Sequence, residues 1–144
     1  MPAIPFLLIG QSHDKETYVL VHHLPHKTIP VAVSLGDIER VARSDFEARC
    51  RELILTSLDA FATRSKTEPS AYDRLSDGEE KAFYRAHRFA DATLRGMAIE
   101  FAPNHFEKGD LVGCEPELRL RLERNADNSA FVQALETAFS RCSA

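Results

Sequence analysis

Tryptophan is absent from this 144-residue chain, and the residues that build most chemical sites are few and scattered. Three cysteines, Cys50, Cys114 and Cys142, are too far apart for a CxxC pair, which excludes a disulfide framework and a zinc knuckle. The six glycines form no G-x-G-x-x-G or GK[ST] group, so no phosphate-binding loop is present. Neither G-x-S-x-G nor H-E-x-x-H occurs. No apolar run approaches the roughly 20 residues of a membrane helix, and prolines interrupt the apolar start of the chain. A cytoplasmic protein without cofactor is the expectation. Charge of one sign is also missing. The net charge is −4, spread as 0, −1, −1 and −2 over residues 1–35, 36–68, 69–104 and 105–144. Without a basic arm, a general grip on nucleic-acid backbones is disfavoured.

What remains is an ordinary globular composition, 44% apolar and 28% charged, of a length suited to a single domain over residues 1–144. The longest amphipathic stretch runs from Gly36 to Lys66. Phe46, Cys50, Leu53, Ile54 and Phe61 share one helical face, and Ser44-Asp45-Phe46-Glu47 is a capping-box pattern. Ile38, Val41 and Ala42 point aside from that stripe, an offset that fits a bend near Ser44 and leaves one long helix or two nearly continuous ones open. On the far face, Glu39 with Arg43, Asp45 with Arg49, and Glu47 with Arg51 stand at i,i+4 spacing and predict self-paired charges.

Residues 4–10, 17–24 and 29–35 are rich in β-branched and aliphatic side chains, and the polar segment from Gln11 to Glu16 suits a hairpin loop. They predict a three-stranded antiparallel meander packed against the long helix. A second capping box at Ser76-Asp77-Gly78-Glu79 predicts a helix carrying Phe83, Ala86, Ala90, Leu94 and Met97 on one side. Residues 102–116 read as a loop. Leu118, Leu120 and Leu122 alternate with charged residues and lean towards a strand. A last helix packs Phe131, Val132, Leu135, Phe139 and Cys142. The fold class is α+β, with two further helices beyond the long one.

Three groups carry candidate chemistry. Lys81, Arg85, Arg88 and Arg95 fall on one side of the second helix as a basic stripe suited to an acidic surface or phosphate. His105, Glu107, Asp110 and Cys114 gather in the 102–116 segment, where a loop folded over a pocket would give a small enzyme its site. His22 and His26 are the candidate metal ligands, although consecutive strand residues face opposite ways and His23 cannot join His22 on one ion. His105-Phe106-Glu107 has an H-x-E spacing, but no P-C-x-x-C follows to complete a zinc deaminase site.

The leading expectation is a non-catalytic binding module that acts by protein–protein contact, as an immunity or antitoxin-like inhibitor would. Masking a partner needs shape and charge, not a reactive group. The alternatives are a small enzyme using the 102–116 or 22–26 residues, and a nucleic-acid-associated regulator using the 81–95 stripe. Strand edges over residues 4–10 or 29–35 leave room for pairing with another chain, a homodimer included.

Overall fold

The computed structural model describes residues 6–25, 32–61, 82–107, 110–113 and 119–141. Among these, strands β1 (Phe6–Ser12), β2 (Thr17–Pro25) and β3 (Ala32–Ala42) form the antiparallel meander. The chain passes directly from β3 into helix α1 (Arg43–Phe61). It resumes with a short helical turn over residues 82–85, then β4 (His87–Arg95) and β5 (Ala98–Glu107). β6 (Asp110–Gly113), β7 (Leu120–Glu123) and helix α2 (Asn128–Ser140) complete the described chain. The sheet order is β3-β2-β1-β4-β5-β6, with β7 also paired to β5.

β1 is central because its residues are apolar on both faces. Leu7 and Ile9 point into the larger core with Tyr18, Leu20, Ala90, Ala92, Ile99 and Phe101, beneath α1 and α2. Leu8 points the other way, among Val19, Val21, Phe83, Tyr84 and Phe89. At Gly10 a methyl group would lie 2.6 Å from Val19 Cγ2 and 2.8 Å from Phe89 Cε1, so β2 and β4 close over this position only because it lacks a side chain. Over its described part, β1, the free edge expected over residues 4–10 is therefore not free: β2 and β4 flank it. Of the segment 29–35, the described residues 32–35 belong to β3, which stands at the end of the sheet among the described residues.

β6 and β7 share the other side of β5 in line. β7 pairs with Ala98 to Phe101 and β6 with Asn104 to Glu107. Ala102 and Pro103 fall in the gap, and proline has no N–H to offer a neighbouring strand. The alternating segment near residue 120 is thus a strand, and its leucines Leu120 and Leu122 lean on the core while Arg121 and Glu123 are exposed.

Several expected boundaries move. Residues 36–42 belong to β3 and not to a helix, which is why Ile38, Val41 and Ala42 lie off the helical stripe. Residues 87–95 form a strand where a helix was expected, because buried neighbours on both faces erase the period-two signal. The expected loop 102–116 is, over its described part, the β5–β6 hairpin. Ser76 to Lys81, His26, Cys114 and Cys142 lie outside the described residues.

α1 buries Phe46, Cys50, Ile54, Leu55 and Leu58. Its charges pair differently from the expectation: Arg43 Nε donates to Glu47 at 2.9 Å and Arg49 Nε to Glu52 at 3.0 Å. Glu47 thus turns to Arg43 and does not close a capping box with Ser44. Arg51 instead donates to the carbonyls of Ala126 and Arg124 at 2.8 and 3.2 Å. α2 starts at the N-cap Asp127, whose carboxylate accepts from the Ala130 N–H at 2.9 Å. It buries Phe131, Leu135, Ala138 and Phe139, with Val132 half-buried.

Candidate functional site

A polar groove lies where β3 becomes α1. Glu16, Ala42, Arg43, Ser44 and Glu47 line a groove of about 310 Å³. Arg43 organises it from the sequence upward. As the first residue of α1 it has no intrahelical acceptor for its N–H, which donates instead to the Glu16 carbonyl at 2.9 Å. Its guanidinium sits 2.9 Å from Glu47 and 3.9 Å from Glu16, so both walls of the groove are held by one cation.

Beneath the groove, Tyr18 stacks on Phe46 with ring centroids 4.0 Å apart. Its hydroxyl accepts from buried Gln11 Nε2 at 3.0 Å and donates to Glu136 Oε1 at 3.4 Å. Burial pushes the phenol up to about 12, against the lowering effect of the Gln11 bond, so Tyr18 stays protonated at neutral pH. One turn further along α1, burial likewise raises the Cys50 thiol to about 12, which leaves no thiolate for nucleophilic work. The groove therefore offers hydrogen bonds and charge, while the Tyr18 phenol and the Cys50 thiol beside it both stay protonated.

A second polar centre stands on the opposite face of the sheet. Asp91 on β4 accepts from Asn104 Nδ2 of β5 at 3.2 Å, and the same amide donates to the Ala102 carbonyl at 3.1 Å. Burial is the main cause that raises the Asp91 carboxyl to about 6, with the Asn104 bond opposing it. Arg119 lies 3.3 Å and Arg95 4.0 Å from Glu100 nearby. At the β1–β2 end, His13 Nε2 donates to the Arg85 carbonyl at 2.6 Å and His87 Nδ1 to the Phe83 carbonyl at 2.8 Å. Burial, ahead of the other causes, lowers the His87 pKa.

The residues expected from sequence to form sites are dispersed by this fold. Arg85 ends the turn over residues 82–85, whereas Arg88 and Arg95 lie seven residues apart on β4, on opposite faces and about 23 Å apart at strand rise. The helical stripe of Lys81, Arg85, Arg88 and Arg95 does not form, and Lys81 is outside the described residues. The strand register sets His105 opposite Val112 and Glu107 opposite Asp110 on the β5–β6 hairpin. His22 lies within β2, between Leu7 of β1 and Leu35 of β3. Among the described residues no three His, Cys, Asp or Glu side chains gather as metal ligands would. Sequence reasoning missed Glu16, Asn104 and Glu100 as site members, and took Arg43 for a partner of Glu39. No local signal separated strand from helix here, because residues four apart share a face in either form.

Two solved structures share this arrangement. A protein of unknown function from Neisseria meningitidis superposes with a TM-score of 0.67 over 99% of this chain and 99% of its own, at 10% identity. A chain of the CdiA-CT/CdiI toxin and immunity complex from Yersinia pseudotuberculosis superposes with a TM-score of 0.64, over 96% of this chain and 97% of its own, at 12% identity. The fold thus resembles that of the CdiI immunity protein. No protein-family model and no curated protein matches the chain. No helix among the described residues is long and apolar enough to cross a membrane.

Proposed function

We propose that this chain is a binding module that masks a protein partner, as an immunity protein masks a toxin. One observation carries the reading: almost the whole chain follows the fold of a protein solved within a toxin and immunity complex. The local chemistry supports it. The groove at the head of α1 has charged walls and an inert floor, which suits recognition better than turnover. The separation of Arg88 from Arg95 removes the continuous basic face that a nucleic-acid reading requires. Arg85, Arg88 and Arg95 then act singly as contacts on different faces, with the groove residues Glu16, Arg43, Ser44 and Glu47 as a further contact surface. Lys81, His105, Glu107 and Asp110 complete the set of candidate contacts. Such an inhibitor works in the cytoplasm of the cell it protects.

A toxin and its inhibitor must be inherited together, so the test is co-expression with whatever protein domain is encoded beside this gene. Survival of the host, together with a 1:1 complex in native mass spectrometry, is the expected result. A chain that remains free beside that domain, gives no protection and turns over a substrate would falsify the proposal.

A further inference from the structure

α1 is broken at one residue. Arg49 has φ −124° and ψ 21°, outside the helical region, so the element is two helical segments in sequence. In an unbroken helix the Arg51 N–H would donate to the Glu47 carbonyl four residues back. Here both groups have a partner outside α1. The Arg51 N–H donates to Asn128 Oδ1 at 2.9 Å, and Asn128 Nδ2 donates to the Glu47 carbonyl at 2.6 Å. One carboxamide, 77 residues away from Arg51, is spliced into the hydrogen-bond ladder and satisfies both of the groups that the break separates. A carboxamide suits this splice, because it carries a donor and an acceptor side by side.

Asn128 is itself held firmly. It is the first residue of α2, directly after the N-cap Asp127. The Arg51 guanidinium fastens the incoming chain through the carbonyls of Ala126 and Arg124. The segment of α1 before the break carries Arg43, Ser44 and Glu47, the wall of the groove, and Phe46, which stacks on Tyr18. The segment after it carries Cys50, Ile54 and Leu58 into the core.

We propose that Asn128 is a positioning residue. Its carboxamide selects the bent form of α1 over the straight one, and so sets the Arg43–Glu47 wall of the groove from the far end of the chain. The functional consequence rests on the reading of that groove as a partner contact. The structural claim does not, and its test uses no partner.

Solution NMR of the intact chain reads the splice directly. A scalar coupling across the hydrogen bond, from the Arg51 amide nitrogen to the side-chain carbonyl carbon of Asn128, is expected. A coupling from that nitrogen to the backbone carbonyl of Glu47 would overturn the proposal without any variant being made. In Asn128→Ala, the three-bond amide-to-α-proton coupling of Arg49 should fall from an extended to a helical value. The Arg43, Ser44 and Glu47 amides should shift more than those of Leu55 and Leu58. A merely destabilising substitution would lower amide protection throughout and leave the Arg49 coupling where it was, and that result also defeats the idea. If the partner binds unchanged to a variant with a straightened α1, the groove is not the contact, although the splice stands.

Discussion

The half-buried carboxyl of Asp91 stands in surroundings that disfavour its charge. It has one amide partner, Asn104, and its pKa rises from an ordinary 3.8 to about 6, chiefly through burial. A raised carboxylate weakens the fold once it ionises. Below about pH 4 the group is protonated in both folded and unfolded chains and costs nothing. Between about pH 4 and 6 only the folded chain keeps the proton, so stability falls as pH rises through this window. Above pH 6 the cost is constant, at about 2–3 kcal/mol for a shift of this size. Asp91→Asn removes the charge and keeps an oxygen for the Asn104 amide. Urea unfolding at pH 4, 5, 6 and 7 should show the variant gaining on the parent as pH rises, and then holding its lead. Parallel stability curves across that range would show that Asp91 does not titrate in this window. Asp91 and Arg95 stand at i,i+4 spacing, which would pair them on a helix. On the strand they still share a face, but Arg95 is a weaker influence on Asp91 than Asn104, which no spacing rule could pick out of a distant segment.

At the scale of elements, the outcome followed how local the signal was. The meander was legible in runs such as Leu7 to Ile9 and Tyr18 to Val21, because β-branched and aliphatic residues there are bounded by a polar turn. The last helix was legible through Phe131, Leu135 and Phe139. β4 was not. Its residues Phe89, Ala90, Ala92 and Thr93 are buried on two faces, and alanine and arginine in this stretch favour a helix when nothing else is known. The β5–β6 hairpin was hidden because proline and glycine, which usually mark loops, lie here at strand gaps and ends. The break in α1 depends on Asn128 and has no local signature at all; the sequence suggested a bend five residues early, at the change from strand to helix. Caps are the opposite case, since their energy is local. The Asp127 carboxylate holds the Ala130 N–H at 2.9 Å, so Asp127→Ala should cost about 1 kcal/mol in urea unfolding. Asp127→Asn, which keeps a capping oxygen, should retain most of that stability. An alanine variant as stable as the parent would mean that the start of α2 is held by Arg51 and Asn128 alone.

For the whole molecule, the decisive fact is that the first strand is the middle of the sheet. β1 takes β2 on one side, from the next segment of chain, and β4 on the other, from some 80 residues further along. The main core then draws on four of the five described segments: Leu7 and Ile9, Phe46 and Ile54, Ala92 and Phe101, and Leu135. Neither half can bury its apolar face without the other, so the described residues should unfold as one cooperative unit. Cys50 is an internal reporter of that transition, being fully buried beneath α1 with its thiol raised to about 12. In a Cys114→Ser, Cys142→Ser background it should resist a thiol reagent at neutral pH in the native state. Its labelling midpoint in urea should coincide with the loss of far-ultraviolet circular dichroism. Labelling at lower urea would mean that α1 leaves the sheet before the strands part, and the groove would then belong to a separately mobile element. Coincident midpoints would instead mean that any partner seated against α1 stabilises the whole sheet, because a ligand that binds only the folded form draws the single equilibrium towards it.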